Sequence, residues 1–426
     1  ELHYNIVASI KDKETPIGSV KLADGVIATA TMVSKKAKLI AFSDHYKQIV
    51  PEAYEADIKY VINRADVRRS EMKKEEIGGL NETLKAADEN ERLNLTGIEI
   101  SAYASPDGEL DLNTRLADQR QKTAEKYLAG QLKKSEVEVA DELMSMLSTP
   151  EDWEGFKKLM EASNIQDKEM ILRVLSMHSD PVVREQEIKN LTAAFEVIAE
   201  EILPELRRSK FTVSLEKIGW SDEEIVDLWT SNRDTLVLEE LLYGATLVDD
   251  LDSKLAMYNQ AIKVAPKCVR AHNNKGVVLF KMGKTEDAAA SFEAAKALKD
   301  HDNINNNLGA VALKGDDVAG AKELFTASLG AGDKVNYNLG IVNIIEGDYQ
   351  AAINYFGNSP SYNLALAKYL NGDAEGAWRT ASDVEESPYR SYLLAVIAAS
   401  QDKPDAVYEN LEKAALTCKD PQYMKD

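Results

Sequence analysis

Apolar and polar residues alternate along the first fifty positions, in YNIVASI, in SVKLADGVIATATMV and again in AKLIAFS. Period-two alternation between turn signals predicts strands, the second stretch folding back at Ala23, Asp24 and Gly25. Residues 1–50 therefore read as a small β-rich segment, the remnant of a β-domain truncated at its N-terminus. From residue 56 the period changes repeatedly. ADIKYVINRADV is a strand, and SEMKKEEIGGLNETLKAADEN has helical spacing with a soft spot at Gly78 and Gly79. LTGIEISAYA is a second strand, LDLNTRLADQRQKTAEKYLAGQL a second helix, and SKFTVSLEKIG a third strand. Between about 131 and 208 the spacing reads as helix throughout, EVEVADELMSML included, with Pro181 opening a long amphipathic helix. Residues 51–232 are thus expected to form a βαβαβ sheet domain carrying a helical insertion at about 131–208.

From about 235 the text repeats. Gly276, Gly309, Gly340 and Ala365 superimpose, as do Ala288, Ala321, Ala352 and Ala377. Phe292, Phe325 and Phe356 follow the first three of those alanines by four residues. Small residues where helices meet, an aromatic where they pack and a Gly-Asp or Gly-Lys turn between them describe a helical hairpin of about 34 residues. The spacing resembles the tetratricopeptide repeat. About six units are expected over 233–426, counting a degenerate one with Tyr258, Ala261 and Pro266, and they stack into an α-solenoid without catalytic machinery of its own. The fold class is accordingly multidomain, α+β followed by all-α. The step from Gly340 to Ala365 is short because Gly357 and Pro360 end a helix early.

Each first helix carries an asparagine two residues before its small residue: Asn274, Asn307, Asn338 and Asn363. In the repeat family this face looks into the concave groove. There an asparagine can bond the backbone of an extended peptide, or tie one repeat to the next. Tyr337, Tyr362 and Tyr392 add amphipathic surface of the kind that anchors protein partners.

Charge narrows the field. The 426 residues carry a net charge of -21, which argues against nucleic acid and anionic lipid as partners. No apolar run of about 18 residues occurs, so no helix is expected to cross a membrane. Cys268 and Cys418 are isolated, the five histidines are scattered, and no nucleotide loop, nucleophile elbow or metal-ligand spacing is present. No cofactor, metal or enzymatic activity is expected. The chain opens on Glu1, from which an upstream segment is expected to have been removed.

The stretch ISAYASPDGELDLNTRLADQR holds the candidate chemistry. A strand breaks at Ser105-Pro106-Asp107-Gly108 and resumes as a helix on which Asn113, Leu116 and Arg120 share a face. Gly108 permits a positive φ and a close backbone approach. The Arg120 guanidinium could grip a carboxylate in bidentate fashion, or lie in an exposed pair with Asp118 or Glu125.

These residues resemble the OmpA-like peptidoglycan-associating domain, with Tyr103, Gly108, Asn113, Leu116 and Arg120 on the motif's Tyr, Gly, Asn, Leu and Arg. The resemblance implies that Arg120 binds the diaminopimelate carboxylate of the stem peptide. The family's aspartate, which holds the ammonium group of the same residue, falls on Ser105, a hydroxyl without charge. Asp107 supplies a charge two residues further on, where it points elsewhere unless the loop is remodelled. An OmpA-like motif followed by tetratricopeptide repeats resembles cell-envelope lipoproteins of Bacteroidetes-type bacteria. It implies a protein on the periplasmic face of the outer membrane, anchored only through an upstream lipid. Its OmpA-like domain would read peptidoglycan while its repeats grip other outer-membrane or periplasmic proteins. The alternative is a pure protein scaffold whose OmpA-like domain has lost the ligand.

Overall fold

The computed structural model describes residues 2–10, 13–23, 28–166, 168–178, 180–190 and 192–417. Asp24, Gly25 and Cys418, singled out above, lie outside them. Two units partition the chain, one formed by Glu1–Tyr46 with Asp222–Asp426 and the other by Lys47–Ser221. The second is inserted into the first.

Strands β1 (Leu2–Ile10) and β2 (Lys13–Ala23) pair antiparallel with each other alone, closing at Ile10 opposite Lys13. The reversal thus comes ahead of the expected Ala-Asp-Gly position. A short 3-10 turn at Ala28–Met32 follows. AKLIAFS, expected as a strand, runs extended without a sheet partner; its hydrogen bonds go to asparagine side chains instead.

The inserted unit is built on β3 (Ile49–Lys59), β4 (Leu93–Tyr103), β5 (Met144–Thr149) and β6 (Arg208–Ile218), in sheet order β3-β6-β4-β5. Strand β6 is antiparallel to both β3 and β4, while β5 runs parallel to β4. The last strand therefore slots between the first two, a split βαβ arrangement. Alternation on β6 buries Ser209, Phe211, Val213 and Leu215 and leaves Lys210, Thr212, Ser214 and Glu216 half-buried on the other face. Helices α1 (Glu75–Glu89) and α2 (Leu110–Lys134) cover the apolar face with Ile77, Leu80, Leu84, Ala124 and Leu128.

Strand β5 corrects the expectation of helix throughout 131–208. Leu143, Met144 and Leu147 have helical spacing, but the stretch forms an edge strand with little buried surface, and such a strand needs no apolar alternation. The helical part comes after it, as α3 (Trp153–Ala162), α4 (Lys168–Met177), α5 (Pro181–Asn190), α6 (Thr192–Glu201) and α7 (Leu203–Leu206). Helices α3, α4, α6 and α7 share a separate core that includes Phe156, Met160, Ile171, Ile198 and Leu206. The expected long helix is interrupted at Ile202, with Pro204 in the first turn of α7.

In the outer unit, α8 (Asp222–Ser231) leads into six helical hairpins. Their helices are α9 (Leu238–Leu247) with α10 (Leu251–Val264), α11 (Val269–Lys281) with α12 (Thr285–Leu298), and α13 (Asp302–Lys314) with α14 (Val318–Ala327). The last three are α15 (Asp333–Glu346) with α16 (Tyr349–Phe356), α17 (Tyr362–Leu370) with α18 (Ala374–Ser382), and α19 (Pro388–Ser400) with α20 (Pro404–Thr417). The repeated glycines follow from packing. A Cβ on Gly276, Gly309 or Gly340 would lie 2.5–2.6 Å from the ring of Phe292, Phe325 or Phe356. The fifth hairpin has Ala381 in the phenylalanine position, and there Ala365 replaces the glycine. Asp317, Asp348 and Asp373 cap α14, α16 and α18 through their side chains.

Candidate functional sites

In the inserted unit, the turn between β4 and α2 lines a cleft of about 170 Å³ together with Ile62, Asn63, Leu112 and Arg207. Asn113, on the buried face of α2, donates to the carbonyls of Ser105 (3.1 Å) and Gly108 (2.9 Å) and so holds the turn shut. Gly108 does not adopt a positive φ. It is required for space, since a Cβ would lie 2.9 Å from Asn113 Oδ1.

Arg120 is 1 % exposed. Its Nε donates to Arg64 O (3.1 Å) and its Nη1 to Tyr103 O (2.8 Å), and the guanidinium carbon lies 5.1 Å from the Tyr60 ring centre. Burial pulls its pKa down to about 10, with Tyr60 opposing the shift. It does not pair with Asp118, which accepts from Ser148 Oγ (2.6 Å), nor with Glu125.

Asp107 does not point elsewhere. Its Oδ1 accepts from Ser105 Oγ and its Oδ2 meets Arg207 Nη2 at 3.1 Å, while Arg207 Nε donates to Ser105 Oγ at 3.1 Å. Two guanidiniums and one carboxylate thus converge on the cleft, leaving it one net positive charge. Among the described residues, Arg120 Nη2 and Arg207 Nη1 have no hydrogen-bond partner. Uncommitted N–H groups on two arginines that line one small cleft suit an anionic head group such as a carboxylate.

Arg207 was not singled out from the sequence. The signal is the Arg207-Arg208 pair at the head of β6, where successive side chains take opposite sides. Arg208 turns away from the cleft to Asp152 (2.9 Å), the residue that caps α3.

The second constellation is the concave face of the repeats. It brings together Asn274, Asn307, Asn338, Asn363, Tyr337 and Tyr362, and the chain's own residues 32–46 occupy it. Each asparagine takes one residue of that strap by both backbone groups. Asn274 accepts from Phe42 N and donates to Phe42 O, both at 2.8 Å, and Asn307 does the same to Ile40 at 2.8 Å. Asn338 holds Lys38 (2.7 and 2.9 Å), and Asn363 holds Ser34 (2.9 Å for both). An extended backbone places the N–H and C=O of one residue on the same side, so a primary amide can bind both at once.

A second row reinforces the first. Asn273 donates to Ile40 O (3.0 Å) and Asn306 to Lys38 O (2.9 Å). Asn307 also donates to Asn273 Oδ1 (2.9 Å) and Asn338 to Asn306 Oδ1 (2.8 Å), which ties adjacent repeats. Tyr362 Oη donates to Met32 O (3.0 Å), and Lys38 Nζ lies 4.1 Å above the Tyr337 ring. Burial raises the Tyr337 pKa, and Asn363 partly offsets it. Tyr392 sits half-buried in α19. At the other end of the strap Tyr46 stacks on Tyr243 (4.7 Å), whose Oη donates to Asp222 Oδ1 (2.8 Å). Both points where the chain leaves and re-enters the outer unit are thereby fixed on one tyrosine.

Among the described residues no three His, Cys, Asp or Glu side chains are grouped to hold a metal ion. No helix among them is long and apolar enough to cross a membrane.

Residues 255–303 match the tetratricopeptide repeat family. No curated protein matches the sequence. Among solved structures, PilF of Pseudomonas aeruginosa is 15 % identical, covered over 97 % of its length by 48 % of this chain, with a TM-score of 0.37. A tetratricopeptide repeat protein from Parabacteroides merdae is 15 % identical over 96 % of its length and 64 % of this chain, with a TM-score of 0.34. YrrB, described as a repeat protein with an unusual peptide-binding site, is 18 % identical over 96 % of its length and 47 % of this chain, with a TM-score of 0.27. The C-terminal hairpins form a tetratricopeptide repeat array, an architecture that serves as a protein-interaction scaffold.

Proposed function

We propose that this chain is a non-enzymatic scaffold of the cell envelope, on the periplasmic face of an outer membrane. Its inserted unit is an OmpA-like domain that binds the stem peptide of peptidoglycan, while its repeats hold protein. The observation that carries the reading is the pair of guanidiniums, each with an uncommitted nitrogen, at one end of the βαβ unit. The strand order, the Asn113-braced turn and the place of Arg120 support it. Asp107, held by Arg207 and Ser105, supplies near an ammonium group the charge that Ser105 lacks. A cleft of about 170 Å³ is below the roughly 300 Å³ of drug-sized pockets, which suits the end of one side chain and not a whole disaccharide peptide.

Co-sedimentation with purified sacculi tests the wall-binding half. The native protein is expected in the pellet and released by a diaminopimelate-containing peptide. Arg207→Gln, which keeps a donor but removes the charge, is expected to weaken binding at least tenfold. A native protein that stays in the supernatant removes this half and leaves the pure scaffold, which the asparagine ladder favours. The protein-binding half is tested by photo-crosslinking from Tyr355 or Tyr408, exposed on second helices of repeats. Discrete protein adducts in envelope fractions are expected, and their absence counts against it.

A further inference from the structure

The strap has the features of a bound ligand. Four of its residues are held through backbone groups by Asn274, Asn307, Asn338 and Asn363, contacts that do not depend on which side chains those residues carry. Of residues 33–46 only Ile40 is buried; Lys35, Lys36, Lys38, Ala41, Ser43 and His45 are exposed. It lies along the solenoid, with Ile40 entering the hydrophobic core of the repeats and Met32, Val33, Ala37, Leu39 and Phe42 packed against that core.

Its chemistry is opposite to that of the whole chain. VSKKAKLIAF holds three lysines and no acid in a protein of net charge -21. Lys35 pairs with Asp316, and Phe42 meets His301 edge-on at 4.8 Å. The anchoring amides are nearly all buried: Asn273, Asn306, Asn307, Asn338 and Asn363 are each 0 % exposed. The strap itself covers them, so a second extended segment that took its place would meet the same row of backbone-binding amides. The ladder also has a weak end. Phe42, Ile40 and Lys38 are spaced by two residues, but four separate Lys38 from Ser34, so residues 35–37 have no asparagine holding their backbone.

We infer that the groove is an exchangeable peptide site whose resident ligand is residues 33–43, and that the partner it admits is an extended, lysine-rich protein segment with apolar residues in the Ile40 and Phe42 positions. This rests on the repeats being a protein-binding surface. Exchange begins at the Ser34 end and proceeds pair by pair toward Phe42.

The test uses the full chain and a fluorescein-labelled synthetic peptide of residues 32–46. The variant carrying Ile40→Ser and Phe42→Ser, which loosens the strap without touching the groove, is expected to bind the peptide at least tenfold more tightly than the native chain. Adding Asn307→Ala to that variant is expected to abolish the gain. A peptide with its three lysines in 35–38 replaced by glutamate is expected to bind at least tenfold more weakly. Equal affinity in native and loosened chains overturns the inference, as does binding indifferent to Asn307→Ala. A loosened chain that loses its far-ultraviolet helical signal overturns it too, because the repeats then cannot fold without the strap. Adducts from Tyr355 or Tyr408 alongside any of these failures leave the scaffold reading standing with a permanently closed groove.

Discussion

Asn307→Ala is the sharpest test of the ladder. Asn307 is 0 % exposed. It accepts from Ile40 N and donates to Ile40 O and Asn273 Oδ1 within 2.9 Å. Alanine leaves Ile40 O with its second donor, Asn273 Nδ2 at 3.0 Å, but orphans the Ile40 N–H and the Asn273 carbonyl oxygen. A buried unsatisfied polar group costs about 1–3 kcal/mol, so two cost about 2–4 kcal/mol once relaxation is allowed. Asn363→Ala frees Ser34, whose half-exposed backbone can reach water, and is expected to cost about 1 kcal/mol. Hydrogen exchange resolves the difference residue by residue. Protection of the Ile40 amide should fall about thirty- to several-hundred-fold in Asn307→Ala, at about tenfold per 1.4 kcal/mol; in Asn363→Ala it should change far less. Asn307→Asp adds a signature. An ionised carboxylate keeps the Ile40 N–H but faces Ile40 O with a second oxygen, and burial raises its folded pKa above the ordinary value of about 3.9. A carboxyl whose folded pKa is raised destabilises the protein when ionised. Ile40 protection in this variant should therefore recover as pH falls through that raised value, while Asn307→Ala shows no such recovery. Unchanged Ile40 exchange in the alanine variant, or a flat pH response in the aspartate variant, refutes the reasoning.

Adjacent glycines give opposite outcomes. Nothing lies within 4 Å of a Cβ on Gly78, whereas one on Gly79 would sit 2.1 Å from Tyr54 Oη. Thermal melts should show Gly78→Ala stabilising by about 0.5–1 kcal/mol and Gly79→Ala destabilising. Gly309→Ala should also destabilise, by about 1–3 kcal/mol, because the Phe325 ring must move. Arg207→Met leaves Asp107 largely buried without its cation, and in denaturant titration should cost about 2–4 kcal/mol, less when combined with Asp107→Asn. Glu239, bonded to Arg270 and to the backbone N–H of His45, has its pKa lowered chiefly by the Arg270 bond. Its contribution is present above the ordinary glutamate value of 4.5 and lost as pH falls through the lowered one. The gap in melting temperature between native protein and Glu239→Gln should therefore close on acidification.

The parts legible in the sequence were those where one local rule governs. The glycine, alanine and phenylalanine positions of the repeats report a contact within one hairpin, and their spacing survives in the text. The Ser105–Gly108 turn and Arg120 stand out for the same reason, since turn chemistry and helix spacing are local. Strand β5 was hidden because an edge strand buries too little to impose alternation, leaving Leu143, Met144 and Leu147 free to mimic a helix. The course of residues 33–46 was hidden for a deeper reason. Their alternation does reflect an extended backbone, but the groups that satisfy it lie more than 230 residues away. Alternation reports that a chain is extended and says nothing of whether its neighbour is another strand or a row of asparagines. The engagement of Asp107 by Arg207 is likewise a contact across 100 residues, set by where β6 enters the sheet.

The ladder also has a mechanical meaning. An extended chain advances about 3.3 Å per residue, so the pairs at Phe42, Ile40 and Lys38 step along the groove by about 6.6 Å per repeat. A tetratricopeptide superhelix is a spring, each repeat free to hinge slightly on the next. Here an extended polypeptide is riveted along that spring from Asn274 to Asn338, with two residues to each repeat and no slack between the rivets. Bending that opens the arc must first pull a rivet out. The curvature of some sixty-five residues of solenoid is thus set by the length of five residues at the other end of the sequence.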